Sequence, residues 1–412
     1  MNVIWEKGYA MAQVVLIIAA ILLTIPGAAL RLLGMHIDPL VDSGIYGLAV
    51  VGAAFLLSWG AEVAQHDIPR SLALTILALI AVLPEYAVDM YLAWQAAGDP
   101  ATYGPLALVN MTGANRLLIG IGWPVVVAIY CLRARKAGRR ADGITLDEGQ
   151  NTEILFLGLA TLYSFLIPIK GTLDLIDVAV LVTIFGFYAW QVSKAEQVEP
   201  ELIGPGRVIG GLPDLPRRLI TVLFFAIAGA AIVLVAEPFA ESLIAAGTEL
   251  GFDRRTLVQW LAPLASETPE FIITGIFAAR LLGAAALGAL VSSKVNQWTL
   301  LVGTVPLVFN LASYVIGKPV PAVLRLDQVQ RDDLLLTSAQ SAFAVAMLLG
   351  LHLSLWEAAM LTGLFLIQLI VPQTHTAVTI VYLVLSVFFV VRNRTQIAEA
   401  VRGLRRPAST GN

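Results

Sequence analysis

The sequence predicts an all-α integral membrane protein with about twelve transmembrane helices. The chain of 412 residues is 58% hydrophobic and only 13% charged, and apolar runs long enough to cross a bilayer recur along its whole length. Soluble domains carry about 25% charged residues, so this composition excludes a soluble fold. The single cysteine, Cys131, excludes an intrachain disulfide bond.

The chain also divides into two halves of similar size. The longest polar interruption, 195–216, separates a first half at 40–194 from a second half at 217–372. A further helix is expected before the first half, within 1–39, and another after the second, within 373–412. About 20 apolar residues cross a bilayer as a helix. The expected spans are 8–33, 40–64, 70–96, 104–133, 152–169, 173–194, 217–247, 255–281, 283–316, 333–352, 355–372 and 375–391.

The basic residues predict the orientation of these spans. Lysine and arginine accumulate in cytoplasmic loops, and with twelve spans the three basic clusters all fall on the side of the N-terminus. Both termini and the central linker are therefore expected in the cytoplasm of a cell-membrane protein. The clusters comprise Arg133, Arg135, Lys136, Arg139 and Arg140; Lys194, Arg207, Arg217 and Arg218; and Arg392, Arg394, Arg402, Arg405 and Arg406.

Four carboxylates lie inside these apolar runs. Glu85 and Asp89 are spaced i,i+4 in the first half, and Glu267 and Glu270 are spaced i,i+3 in the second, so each pair shares a helix face. One charge at the bilayer centre costs about 2.5–3.5 kcal/mol. We therefore expect these acids to hold a partner, a bound cation or a proton. We also expect Asp89 or Glu267 to change between a protonated and a charged form as the protein works.

Two prolines add backbone oxygens to these sites. Pro84 precedes Glu85 and Pro269 precedes Glu270. A proline has no N–H, so the carbonyl four residues before it loses its helical donor. Carboxylates and carbonyls are hard oxygen ligands that suit Ca²⁺, Na⁺ or Mg²⁺.

The two Pro-Glu helices belong to an internal repeat. Each is followed by a segment rich in glycine and alanine, at 106–116 and at 287–297. Repeats of five spans would enter the membrane in opposite directions. Two inverted five-helix repeats with an extra helix at each end account for twelve spans, an arrangement that is typical of transporters.

A Pro-Glu helix followed by a glycine-asparagine segment, occurring twice, resembles the two alpha-repeats of the calcium/cation antiporter superfamily, the sodium/calcium exchangers. The likeness covers 40–133 and 220–310, with the alpha-repeats at 70–133 and 255–316. It implies a secondary active antiporter that exchanges Ca²⁺ for Na⁺ or H⁺ at a midplane site by alternating access. It also implies that Glu85 and Glu270 are the central metal ligands. Asn110 and Asn115 match the asparagines of the first repeat. With the neighbouring acids and hydroxyls, the candidate cation-binding residues are Glu85, Asp89, Asn110, Asn115, Ser266, Glu267, Glu270 and Ser293.

The chain departs from the family pattern at several of these positions. Ala81 and Val82 replace a hydroxylated pair, and Asp89 stands where a serine is usual. Lys294 occupies the position of an asparagine in the second repeat, so it either substitutes for a bound Na⁺ or forms an ion pair with Glu267. The first repeat is also six residues longer, and we place the extra residues in a loop at 98–104.

Arg116 follows Asn115 directly and leaves two alternatives. Its guanidinium either compensates the central carboxylates, together with Lys294, or extends along the helix to the membrane surface. Glu237 and Glu241 raise a similar question near the outer end of their span: they either attract cations at the mouth of the pathway or are ordinary interfacial acids.

Two other functions compete with Ca²⁺ exchange. The lost hydroxyls and added charges favour a Na⁺/H⁺ exchanger on the same scaffold, and a cation channel or a membrane scaffold without transport is the alternative from another class. No catalytic or cofactor motif supports an enzyme. The expected partners are small inorganic cations and the lipid bilayer, with no cofactor and no nucleic acid.

Overall fold

Helices make up nearly all of the computed structural model, which describes residues 2–64, 67, 83–194, 202, 204–251 and 254–394. The start of the span expected at 70–96, the beginning of the linker at 195–201 with residue 203, and the basic tail beyond 394 lie outside the described residues. The helices are α1 (Asn2–Leu33), α2 (Pro39–Ala64), α3 (Leu83–Gly98), α4 (Pro100–Leu117), α5 (Trp123–Lys136), α6 (Asn151–Ser164), α7 (Leu166–Lys170), α8 (Leu175–Val192), α9 (Gly204–Gly210), α10 (Asp214–Glu249), α11 (Arg254–Ala279), α12 (Gly283–Asn296), α13 (Val302–Val315), α14 (Gln328–Leu348), α15 (Leu355–Ile370) and α16 (His375–Arg392).

The helices identify a multi-pass membrane protein. Among the described residues, eight helical segments are long and apolar enough to cross a bilayer, and two shorter apolar helices accompany them at Glu270–Ala279 and Leu355–Ile370. The count of twelve spans and the inverted arrangement stay predictions. The eight segments are Gly8–Leu33, Pro39–Ala64, Pro100–Lys136, Glu148–Lys170, Leu175–Val192, Asp214–Glu249, Gly283–Val315 and Pro372–Arg392.

Two π-helical turns mark the same position in the two halves. Leu118–Gly122 joins α4 to α5, and Gln297–Leu301 joins α12 to α13. The first turn begins three residues after Asn115 and the second three residues after Lys294. This coincidence aligns Asn115 with Lys294, as the comparison of the two repeats in the sequence also does.

The loop expected at 98–104 is wrong. Only Asp99 separates α3 from α4, and the extra residues of the first repeat lengthen the ends of both helices. The reason is local: the Asp99 carboxylate accepts from the N–H of Thr102 at 3.2 Å, and Pro100 takes the first helical position, which together start a helix. The Nζ of Lys318 donates to the carbonyl oxygens of Ala97 and Gly98 and so caps the end of α3.

The chain forms two compact units. The first comprises Met1–Ala114, Ala189–Glu270 and Thr304–Ala322. In it α2 packs along α10 and α1, and α10 also contacts α3. Outside the spans, Arg217 binds Asp67 through two hydrogen bonds of 3.0 and 2.9 Å. Arg217 and then Arg218 lower the pKa of Asp67 to about 2, so this carboxylate stays charged at any physiological pH.

The second unit comprises Asn115–Tyr188, Phe271–Gly303 and Val323–Asn412. Its α14 packs against α16, α6 and α7. Two short antiparallel ladders tie its loops: β1 (Gly143–Thr145) pairs with β4 (His352–Ser354), and β2 (Thr172–Leu173) pairs with β3 (Leu324–Arg325). The helix α14 covers the span expected at 333–352 but is not among the eight apolar segments, because it carries buried polar residues along its length.

Gly113 allows α4 to approach α11 closely in the first unit. A Cβ atom on Gly113 would lie 2.0 Å from the backbone oxygen of Gln259, so we expect Gly113→Ala to force the helices apart. Overpacking typically costs about 1–3 kcal/mol, and thermal unfolding in detergent should occur several degrees lower. The control is Gly229→Ala in α10, where a Cβ meets no atom within 4 Å. An unchanged melting temperature for Gly113→Ala would contradict this packing.

Candidate cation-binding site

The first unit buries the carboxylates of α3. Glu85 is 3% exposed and Asp89 is 0% exposed. Asp89 Oδ1 accepts a hydrogen bond of 2.8 Å from the amide nitrogen of Asn110 on α4. Because Asp99 alone joins α3 to α4, the two helices run back on each other and bring these two predicted site residues into contact.

The other oxygens of this pair have no donor. Asp89 Oδ2 and Asn110 Oδ1 are both buried, and no hydrogen-bond partner for either lies in the described part of the chain. A buried acceptor without a donor is costly. Two such oxygens, on neighbouring helices, suit a ligand that brings positive charge, which is a metal cation or a proton.

The helix α11 carries the second set of predicted ligands. Glu267 is buried and Glu270 is half-buried. Ser266 Oγ donates to the carbonyl oxygens of Ala262 and Pro263, at 3.3 and 3.1 Å. Its hydroxyl hydrogen is thus used within the helix while its oxygen keeps acceptor capacity. The helix continues from Arg254 to Ala279 without a break at position 269, so the proline does not interrupt it.

The carboxylates are not gathered into a metal centre of three acids. Over the described ranges, no group of three or more histidine, cysteine, aspartate or glutamate side chains could hold a metal ion. In this conformation a cation shell in the first unit would combine carboxylates with amide and hydroxyl oxygens.

The remaining predicted site residues lie in the second unit. Lys294 is fully buried, and its Nζ donates to Asn115 Oδ1 at 2.5 Å and lies 4.4 Å from the centre of the Trp298 ring. The equivalent positions of the two repeats therefore bind each other. Ser293, the neighbour of Lys294 on α12, is half-buried. Whether Lys294 substitutes for an ion or pairs with Glu267 stays a prediction.

Arg116 is fully buried in the second unit. Its Nη2 lies 3.9 Å from Asp333 Oδ1, and the same carboxylate oxygen lies 3.5 Å from Nδ1 of His375. The alternative in which Arg116 extends to the membrane surface is therefore wrong. The sequence does not single out Asp333 as a partner of Arg116. This aspartate lies in the first turns of α14, where an acid is ordinarily explained by its favourable interaction with the helix N-terminus.

The acids Glu237 and Glu241 in the second half of α10 have different partners. Glu237 forms an ion pair with Arg31. Glu241, one turn later, accepts hydrogen bonds from the hydroxyls of Tyr91 and Tyr103. The sequence did not separate these two acids, because their partners come from distant helices.

Comparison with known proteins matches the chain to one family model. The model described as sodium/calcium exchanger protein matches twice, at residues 43–194 and 220–372. These ranges fall within the two halves expected from the sequence. Comparison with curated proteins finds no match.

Solved structures of cation exchangers share the fold. The crystal structure of the H⁺/Ca²⁺ exchanger CAX is 41% identical, has a TM-score of 0.90, and is matched over 96% of this chain and 98% of that one. The Ca²⁺/H⁺ antiporter YfkE is 13% identical with a TM-score of 0.61, over 85% and 98%. The sodium-calcium exchanger NCX_Mj is 18% identical with a TM-score of 0.53, over 80% and 98%.

The contact between Lys294 and Asn115 predicts a stability defect. Lys294→Met removes the donor and the ring contact and leaves Asn115 Oδ1 without that donor, which costs about 1–3 kcal/mol for a buried acceptor. The melting temperature should fall, and it should recover in part when Asn115→Leu removes the acceptor as well. Lys136→Met, at an exposed lysine, is the control. If the double variant melts no higher than Lys294→Met, the two side chains are not coupled.

Proposed function

Because the chain belongs to the sodium/calcium exchanger protein family, we propose that it is a secondary active antiporter that moves Ca²⁺ in exchange for protons. Family membership confirms the resemblance carried by the two Pro-Glu segments. The observation that carries the proposal is the buried oxygen pair of Asp89 and Asn110, where Asp89 lies one turn beyond Glu85 on α3. Similarity to the H⁺/Ca²⁺ exchanger CAX over nearly the whole chain supports the choice of proton over Na⁺.

The chemistry of the oxygens supports this coupling. Carboxylate and amide oxygens are the ligands that Ca²⁺ takes in proteins. A carboxylate must lose its proton before it binds a metal. Ca²⁺ and H⁺ therefore compete for the same buried oxygens, and this competition couples the two ions when the site opens to one side of the membrane at a time.

The proposed cation ligands of the first unit are Glu85, Asp89, Asn110, Glu267 and Glu270, with Ser266 as a further oxygen. Asp89 is fully buried, and the donor to its Oδ1 is the neutral amide of Asn110. A bare carboxylate there is unfavourable, so the site is expected to hold a cation or a proton at every stage. We place the protein in a cell membrane with both termini in the cytoplasm, which the basic clusters support.

Flux measurements on purified protein in sealed proteoliposomes test the ion pair. Uptake of radioactive Ca²⁺ should follow an imposed pH gradient and should not follow a Na⁺ gradient at constant pH. Ca²⁺ uptake driven by the Na⁺ gradient alone would show that Na⁺, and not the proton, is exchanged for Ca²⁺. Na⁺ flux driven by the pH gradient without Ca²⁺ flux would indicate a Na⁺/H⁺ exchanger, and Ca²⁺ flux that any gradient carries passively would indicate a channel.

Neutral replacements test the carboxylates. Glu85→Gln and Glu270→Gln keep the size of the side chain and remove a charged ligand. Loss of a group that only supports a metal ligand lowers metal affinity or activity by about 10–100-fold. Loss of a ligand itself should therefore reduce Ca²⁺ exchange by at least about 100-fold. The melting temperature should change little. Glu249→Gln, at an exposed acid at the end of α10, is the control, and near-normal exchange by Glu270→Gln would remove Glu270 from the site.

A further inference from the structure

Glu241 is held in place by uncharged donors from two other helices. Tyr91 on α3 donates to Glu241 Oε1 at 2.5 Å, and Tyr103 on α4 donates to the same oxygen at 2.6 Å. The amide nitrogen of Gln95 donates to Tyr91 Oη at 2.9 Å. The carboxylate is therefore fixed at one oxygen by two phenol hydroxyls, one of which is itself held by the amide of Gln95.

These donors leave the charge of Glu241 uncompensated. Glu237, four residues earlier on α10, is neutralised by Arg31. Among the described residues, no lysine, arginine or histidine forms an ion pair with Glu241, and Lys318 at the same end of α3 binds the carbonyl oxygens of Ala97 and Gly98. Glu237 and Glu241 thus lie one turn apart on one helix, but only Glu241 keeps a negative charge that no cationic side chain of the described ranges offsets. That charge is what would attract a cation.

The position of Glu241 relates it to the buried carboxylates. Tyr91 lies two residues beyond Asp89 on α3, and Tyr103 lies seven residues before Asn110 on α4. At 1.5 Å per residue, both tyrosines are displaced from the Asp89–Asn110 contact toward the turn at Asp99, by about 3 and 10 Å. Glu241 is half-buried, and a cation that reached Asp89 from this end of the helices would pass near it.

We propose that Glu241, Tyr91 and Tyr103 form an outer binding site for the transported divalent cation. The site captures the cation before it moves to the buried carboxylates of α3, with Glu241 Oε2 and the phenol oxygens as ligands, a set of hard oxygens that suits Ca²⁺. This inference rests on the proposed Ca²⁺ exchange.

A matched pair of variants separates capture from a general field effect. Glu241→Gln and Glu237→Gln each remove one negative charge at the same end of α10, so any long-range effect is shared. Measurements at an ionic strength of about 0.15 M shorten the Debye length to about 8 Å and leave mainly local contacts. Glu241→Gln should raise the KM for Ca²⁺ about 5- to 10-fold with kcat within about twofold of wild type, because local fields of this kind change the cation concentration by about 10-fold or more. Glu237→Gln should change KM by less than about twofold.

The alternative role for this cluster is to hold α3, α4 and α10 together without binding a cation, and variants of the two tyrosines distinguish the two roles. The amide oxygen that Glu241→Gln introduces would still accept from both phenols, so a purely mechanical contact survives this substitution. Tyr91→Phe combined with Tyr103→Phe would then lower kcat. A Glu241→Gln variant with wild-type KM, or an equal rise in KM for Glu237→Gln, overturns the outer site. Ca²⁺ exchange by the wild-type protein in the same assay shows that the proposed function is not overturned with it.

Terbium binding gives a readout that does not need transport. Tb³⁺ replaces Ca²⁺ at oxygen sites and emits when a neighbouring tyrosine is excited. In detergent-solubilised protein carrying Glu85→Gln, we expect tyrosine-sensitised Tb³⁺ emission that Tyr103→Phe reduces by at least half and Glu237→Gln leaves unchanged. Emission that is insensitive to Tyr103→Phe overturns the outer site even if Glu241→Gln fails to fold.

Discussion

A charge buried in a helical membrane protein must meet a partner, and for two of the predicted site residues, Asp89 and Lys294, that partner is an asparagine amide. On α4, Asn110 uses its nitrogen to donate to the Asp89 carboxylate, whereas Asn115 uses its oxygen to accept from the Lys294 ammonium. An asparagine amide is neutral and offers both a donor and an acceptor, so one residue type serves a negative group and a positive group five residues apart. Neither amide cancels the charge that it binds, and at Asp89 the electrostatic cost of burial is left for a cation or a proton to offset.

Close packing of backbones makes these contacts possible. Gly113 lies between the two asparagines and lets the backbone of α4 meet that of α11 at Gln259. The π-helical turn that follows Asn115 adds a residue to the helical turn and changes the direction in which later side chains point, and the same turn follows Lys294. Small residues and irregular helix turns at these positions thus set the register of the polar side chains rather than the stability of an apolar core.

Much of this arrangement could be predicted from the sequence, and the failures have physical causes. Carboxylates beside proline in apolar runs, occurring twice, were sufficient to identify the family and to predict the burial of Glu85, Asp89 and Glu267, whereas Glu270 is half-buried. The loop predicted near Asp99 was wrong because an aspartate followed by proline starts a helix as readily as it starts a turn. The partners of Arg116 and Glu241 could not be predicted, since they lie on helices far away in the chain, and hydropathy reports that a residue is buried but not what it contacts. The π-helical turns have no sequence pattern as simple as a helix cap.

Six acids of the described residues fall into two groups according to their partners. Asp67, Glu237, Asp177 and Glu357 each meet an arginine or a lysine. In such a pair the attraction for a further cation is largely cancelled, so these acids fasten loops and helix ends. Asp89 and Glu241 instead meet an asparagine and two tyrosines, which orient the carboxylate and leave its charge available. A protein that transports cations needs both groups at once: paired acids hold the helices in place, and acids with neutral donors attract the ion. Asp89 lies on α3 with its partner Asn110 on α4, and the two partners of Glu241 lie on the same two helices. Movement of α3 and α4 would therefore alter the two cation-attracting acids together.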